Sequence, residues 1–364
     1  MKRILFLGRF PPPVHGASKM NEVYFKSKTI NKEFKLQKIK INYSDSLKEL
    51  GKFNLNKFFG IFIVFFKLLV QLISFNPHLI YFEIPSKGLA FVRDSIYVFL
   101  CKIFNKKIIF VLHSREISRG KLKKIYYKLV FKNTKLILLS KLLYPYVKEF
   151  FKEKDVYYLG NGIKNEISDN EFKTIIKTKK QNKKPILLFL SNMIESKGAL
   201  EVLRICNSLN EKGIDFECLF VGPWKNKEFK VKWENFLQEK GLKDKCSYLG
   251  AKYGNEKEEI MKKANFMIFP TKYELECFPL VILEAFMYGI PVLSYDTGAI
   301  KEIISKEYLG YVSKKNSWKE LETKLKKIIK EKVRYKRIRE YFKDNFTIEI
   351  AEKRLNKILL KNTK

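Results

Sequence analysis

Two glutamates, Glu276 and Glu284, bracket the run Cys277-Phe278-Pro279-Leu280-Val281-Ile282-Leu283, and Ala285 and Gly289-Ile290-Pro291 follow. The apolar pattern after Pro279 opens a helix at about Leu280. N–H groups at a helix start have no partner inside the helix and favour phosphate oxygens. Glu284 falls within the first turns of that helix, where its carboxylate can accept both hydroxyls of a ribose diol. Glu276 sits at the loop entrance, nearer the reacting end of a bound nucleotide. Lys197 stands just before Gly198 at a second helix start, where an ammonium holds a departing diphosphate as a point charge. His113 ends the apolar run Ile108–Leu112, at the strand edge where α/β sheets build their sites. Taken singly, each residue also has a plain reading: a surface carboxylate, a helix-capping acid, an exposed lysine, a buried histidine.

The elements that must carry these residues are legible as alternating strands and helices. Ile4–Leu7, Leu79–Phe82, Lys107–Leu112 and Leu136–Leu139 read as buried strands separated by helical patterns. A turn with Pro11, Pro12, Pro13 and Gly16 follows the first strand, and a helix begins near Ser18. The composition turns lysine-rich over 171–184, and the pattern then restarts. Ile186–Leu190, Glu217–Val221, Cys246–Leu249, Phe266–Phe269 and Pro291–Ser294 read as strands, with helices between them. Strands alternating with helices specify parallel sheets covered on both faces, hence an α/β chain of two doubly wound domains. The boundaries follow as 1–166, a linker at 167–184, a second domain at 185–335, and a C-terminal helix at 336–364 that crosses back to the first domain.

The run PTKYELECFPLVILEAFMYGIPVLSYDTGAIKEII resembles the donor-binding signature of glycosyltransferase family 4, as found in bacterial polysaccharide-biosynthesis enzymes. RFPPPVHGAS resembles that family's glycine-bearing donor loop, YLGNGI its interdomain segment, FLSNMIESKGALEVL its phosphate-binding strand and helix, and KDNFTIEIAEKRLNKIL its terminal helix. The resemblance implies a GT-B fold, two Rossmann-like domains facing a cleft, and a retaining transfer from a nucleotide sugar. It implies catalytic roles for His113, Lys197 and Glu276. It implies donor contacts from His15, Gly16, Asn192, Lys197, Cys277, Phe278, Pro279, Leu280 and Glu284. Three departures stand out: Cys277 replaces a usual glycine, Ser191-Asn192 replaces a usual Gly-Arg, and His15-Gly16 replaces a double glycine. The missing arginine leaves Lys197 with more of the diphosphate's charge. No Asp-x-Asp motif occurs, so no metal is expected, and no cofactor beyond a nucleotide-sugar substrate, a UDP-sugar by preference. The acceptor is expected to be a glycan or a polyprenyl-phosphate-linked glycan. A nucleotide-sugar epimerase or hydrolase on the same fold is the alternative enzyme.

The chain has 364 residues, 73 Lys and Arg against 38 Asp and Glu, and a formal charge of +35. Such an excess suits nucleic acid, an anionic membrane surface or phosphorylated ligands. No helix-turn-helix, RNA-recognition or zinc module accompanies it, so nucleic acid is not the expected partner. Glu116 is the one acid between Ser95 and Lys148, beside thirteen Lys and Arg. Over 120–135, Leu122, Ile125, Tyr126, Leu129 and Val130 make an apolar stripe, read as core. Lys121, Lys124, Lys128, Lys132 and Lys135 fall on another face, expected to hold the protein by charge on the cytoplasmic face of the inner membrane. The apolar run Phe58–Phe75 contains Lys67 and Gln71 and reads as a buried helix rather than an inserted one. Five cysteines without a CxxC pair fit a reducing, cytoplasmic setting and show no metal-ligand spacing. The short apolar stretch Ile4–Leu7, cut off by prolines, is no signal peptide.

Overall fold

The computed structural model describes residues 1–12, 16–41, 55–114, 117, 121–314 and 316–363, without the side chains of 55–58, 121 and 122. The chain forms two compact units. One comprises Met1–Asn161 with Ile348–Lys364, the other Gly162–Thr347.

The first unit runs β1 (Lys2–Gly8), α1 (Gly16–Lys26), α2 (Lys28–Glu33), β2 (Phe34–Lys40), α3 (Leu55–Ser74), β3 (Leu79–Glu83), α4 (Gly88–Ile103), β4 (Lys107–Leu112), α5 (Lys121–Phe131), β5 (Lys135–Leu138) and β6 (Val156–Tyr158). Its six strands pair in the order β2-β1-β3-β4-β5-β6, all in parallel. The central strand β3 is buried along its whole length, as a sheet covered on both faces requires. On one face, Ile4, Phe6, Tyr81 and Ile109 pack against Met20, Tyr24 and Ile30 from α1 and α2. Ala351, Leu355, Ile358 and Leu359 of the C-terminal helix Ile348–Thr363 complete that core. On the other face, Phe110 meets Phe82 and Phe131, under α4 and α5.

The second unit runs α6 (Asp169–Gln181), β7 (Ile186–Leu190), α7 (Ala199–Glu211), β8 (Glu217–Val221), α8 (Lys227–Glu239), β9 (Cys246–Tyr248), α9 (Gly254–Lys263), β10 (Phe266–Phe269), α10 (Leu280–Met287), β11 (Val292–Tyr295), α11 (Ile300–Ile303), β12 (Gly310–Ser313), α12 (Trp318–Lys330) and α13 (Tyr335–Asn345). Its strands pair in the order β12-β11-β10-β7-β8-β9, again in parallel. The order reverses beside β7, which places the ends of β7 and β10 at the switch point where such sheets bind ligands.

Four sequence readings change. Strands β2, β6 and β12 add to the sequence reading; β2 carries three lysines among its seven residues at a sheet edge, and β6 and β12 are only 3 and 4 residues long. The stretch assigned to a linker holds α6. Its Phe172, Ile175 and Ile176 are buried, and the buried Lys179 ammonium donates to the carbonyls of Met261 and Ala264, at the end of α9. Helix α3 buries Val64, Leu68 and Leu72, but Phe62, Ile63, Phe66, Val70 and Ile73 on its other side are exposed. The α5 stripe likewise divides: Val130 is buried, whereas Ile125 and Leu129 are exposed.

Candidate functional site

A cavity of about 320 Å³ lies at the C-terminal edge of the second unit's sheet, between the loops that follow β7, β8, β9 and β10. Its volume falls within the range of small-molecule sites. Lys197, Glu276 and Glu284 line it together with Asn192, Pro279 and Leu280. Six sequence-predicted residues, scattered from position 192 to position 284, thus converge on one surface.

Lys197 ends a short turn, Glu195–Lys197, after β7, and Gly198 then starts α7. Gly198 has φ of 90°, and a Cβ there would lie 2.4 Å from the Pro270 carbonyl oxygen, so the position demands glycine. The Lys197 ammonium reaches the Glu276 carboxylate at 2.6 Å, each side chain only 12% exposed. It also lies 4.4 Å from the centroid of the Tyr273 ring, a cation–π distance. Helix α10 begins at Pro279 with no side-chain cap. Pro279, Leu280 and Val281 all line the cavity, so the uncapped start of α10 contributes its positive end there. One turn on, Glu284 pairs with Lys257 of α9 at 2.9 Å, both side chains about a quarter exposed.

Sequence reasoning missed several residues of this cavity. Lys252, Tyr253 and Lys257 come from the segment after β9, which carries no recognisable motif. With Lys197, Lys252 and Lys257 place three cations around the cavity. Tyr253, at the rim, is 72% exposed. Gly222, after β8, has φ of 144°, and a Cβ there would meet the Ser191 carbonyl oxygen at 1.7 Å. The cavity floor therefore depends on a backbone approach that any side chain would block. Cys277 and Phe278, in contrast, do not line the cavity. Both are buried; the Cys277 carbonyl accepts from Ala299 N–H at 2.8 Å and Phe278 packs edge-on to Phe346, so they shape the loop.

The other predicted residues belong to the first unit. His113 follows β4 and is half-buried, and Gly16 starts α1. His15 lies outside the described residues. Arg9, the first residue after β1, is held by a residue the sequence reading passed over, the buried Glu83 at the end of β3. Glu83 accepts from the Arg9 backbone N–H at 3.0 Å and from Asn21 Nδ2 at 2.5 Å, and pairs with the Arg9 guanidinium. Asn21 also donates to the Arg9 carbonyl at 2.9 Å, which ties Arg9 to α1.

Elsewhere in the second unit, the fold gathers three thiols that sequence spacing gave no reason to join. Cys206 of α7, Cys218 of β8 and Cys246 of β9 bring their sulfurs within 4.8 Å of one another inside the core. Burial pushes the Cys206 and Cys218 thiols up, while hydrogen bonds from those two pull Cys246 down.

Residues 170–345 match the family model described as glycosyl transferases group 1. Among curated relatives, the amylovoran biosynthesis glycosyltransferase AmsK of Erwinia amylovora is 22% identical over 222 residues, covering 58% of this chain and 52% of that protein. WcaL of Escherichia coli K12 is 23% identical over 145 residues, covering 38% of this chain and 34% of WcaL. The chain thus spans between about a third and about half the length of these relatives. Among solved structures, a glycosyltransferase from Rickettsia africae aligns with a TM-score of 0.78 at 18% identity, covering 100% of this chain and 99% of that one. Anabaena HepE, solved in complex with UDP, aligns with a TM-score of 0.74 at 15% identity, over 99% of this chain and 100% of its own. The chain has the GT-B glycosyltransferase fold, and its residues 170–345 carry a glycosyl transferases group 1 domain.

Proposed function

We propose that this protein is a retaining, metal-independent glycosyltransferase that moves a sugar from a nucleotide sugar, a UDP-sugar by preference, to a growing cell-surface glycan. The carrying observation is the cavity that joins Lys197, Lys257, Glu276, Glu284 and the uncapped start of α10. In this reading the diphosphate lies against the start of α10, with Lys197 and Lys257 neutralising the leaving group. Glu284 accepts the ribose hydroxyls, exchanging Lys257 for the nucleotide. Tyr253 stacks its exposed ring on the base. Glu276 positions Lys197 and then faces the donor sugar. His113 keeps the catalytic role, and His15 and Gly16 the donor contacts, that the sequence resemblance implies. Preorganised cations and a helix dipole stabilise the departing charge without a metal.

The relatives' names support a role in polysaccharide assembly, since AmsK is named for amylovoran biosynthesis. HepE, solved with UDP, supports a uridine nucleotide as the donor's carrier. The acceptor in this reading is a glycan on a polyprenyl phosphate, met at the cytoplasmic face of the inner membrane. The lysine face of α5 draws the protein to that surface, each Lys near an anionic leaflet contributing about 1 kcal/mol.

The test is binding and turnover with purified chain. UDP, GDP and ADP are titrated by calorimetry with chelator present, and a panel of nucleotide sugars is incubated with lipid-linked acceptor. The reading requires nucleoside diphosphate binding without metal, and a product whose anomeric configuration, read by NMR, matches the donor's. Nucleotide release that ignores the acceptor would instead mark a hydrolase or epimerase. Failure to bind any nucleoside diphosphate would end the proposal.

A further inference from the structure

Helices α3, α4 and α5 lie side by side over one face of the first unit's sheet. The Tyr97 hydroxyl of α4 donates to the Ile61 carbonyl of α3 at 3.2 Å, and the Lys102 ammonium donates to the Leu129 carbonyl of α5 at 2.8 Å. Phe91 of α4 stacks on Tyr127 of α5 with ring centroids 3.9 Å apart. The inward sides of the three helices are therefore occupied. Their outward sides carry Phe62, Phe66 and Ile73 on α3, Leu89 and Val92 on α4, and Ile125 on α5, all between 49% and 79% exposed. Phe59, Ile63 and Val70 extend the α3 stripe at helical spacing. Large apolar side chains exposed together on three adjacent helices mark a binding face.

The charges on these helices choose its occupant. Lys67, Lys123 and Lys128 are exposed, and Lys102 and Lys124 are half-buried. Lys124 pairs with Glu149, beyond β5. The one acid of α3, α4 and α5 themselves is Asp94, which is buried and paired with Arg93. Lysines among outward aromatic and aliphatic residues, on helices that expose no acid of their own, match an anionic lipid surface and its acyl boundary. Among the described residues no helix is long and apolar enough to cross a bilayer. We propose that α3, α4 and α5 form a face that lies in the membrane interface, with Phe62, Phe66 and Ile73 inserted below the headgroups. The protein would then be held by apolar burial, with charge serving to recruit it. This deepens the membrane placement proposed above and rests on it only for the acceptor's whereabouts.

The two sources of attachment separate by salt. The full chain is sedimented with vesicles of phosphatidylglycerol and phosphatidylethanolamine, and with vesicles of phosphatidylcholine alone, at low salt and at about 0.5 M, where charge attraction reaches only a few ångströms. Binding to the anionic vesicles is expected to persist in salt. The F62S/F66S/I73S variant, altered only at exposed positions, is expected to lose about ten-fold or more in partitioning. A Phe66→Trp variant is expected to be quenched by acyl-chain-brominated lipid; the native tryptophans Trp224, Trp233 and Trp318 all lie in the other unit. Binding that salt abolishes, with the introduced indole unquenched, would overturn insertion and leave charge alone. So would a wild-type dimer that the triple serine variant dissociates, with no vesicle binding, since the face would then be covered by a second copy. None of these readouts involves sugar transfer or nucleotide binding, so they stand or fall apart from the catalytic reading.

Discussion

The Lys197 ammonium lies 2.6 Å from the Glu276 carboxylate, although 79 residues separate them in the chain. Both side chains are largely shielded, so the pair holds its geometry while neutralising itself. In the proposed function, an incoming diphosphate would compete with Glu276 for the same cation. Lys197→Ala is expected to lower turnover by about 10² to 10³, comparable to removing one preorganised charge stabiliser, with a smaller loss of donor affinity. Near-normal turnover at saturating donor would remove Lys197 from the mechanism.

Glu284 and Lys257 form the second ion pair of the cavity, at 2.9 Å. Glu284→Ala should weaken binding of the matching nucleoside diphosphate by about 1.5–3 kcal/mol, the usual contribution of hydrogen bonds to a charged acceptor. Lys257→Ala should weaken the diphosphate but leave the free nucleoside's affinity unchanged. Calorimetry with UDP and with uridine separates the two effects. Equal losses for both ligands would contradict the assignment of Lys257 to phosphate.

Gly222→Ala should abolish nucleotide binding or the fold of the second unit, because the added methyl overlaps the Ser191 carbonyl. The control is Gly213→Ala, which also has positive φ but open space around its Cβ. Thermal melts of both variants compare strain with collision. A Gly222→Ala protein as stable as the control would show that β7 and β8 can part at their ends.

The Glu322 side chain is 5% exposed on α12 and binds Lys212, just after α7, and Lys326. Burial opposes its ionisation, but the two lysines outweigh that and hold its carboxyl below the ordinary value. A carboxyl lowered by folding stabilises the fold above its unfolded value, and this contribution disappears as pH falls through the folded value. The melting temperature of the second unit should therefore drop on acidification below the ordinary carboxylate range. Glu322→Gln should flatten that drop. An identical acid profile for wild type and variant would show that the contact carries no linkage.

All five cysteines are free and buried, and burial pushes Cys101 up to about 12. Ellman's reagent at pH 8 should find no fast thiol in the folded chain and five after denaturation. Rapid native labelling would mean that the core around Cys206, Cys218 and Cys246 opens easily.

The sequence by itself determined the fold class and the placement of the motif residues on one loop and helix start. Short apolar runs bounded by turn residues read as buried strands, and their alternation with longer helical patterns leaves a parallel, doubly covered sheet. Glu276, Pro279, Leu280 and Glu284 were legible because they are local: one short segment fixes a loop, a helix start and the first turns of the helix. What the sequence could not supply was proximity across the sheet. Lys257 entered the cavity because β9 lies at the sheet edge and returns α9 beside α10, and no spacing rule encodes that. The three cysteines met for the same reason, one from a helix and two from neighbouring strands. Tertiary structure also decided which side of an all-round apolar helix is core. In α3 every face is hydrophobic, so periodicity gives no direction. Only the packing of Val64, Leu68 and Leu72 inward left Phe62, Phe66 and Ile73 outside.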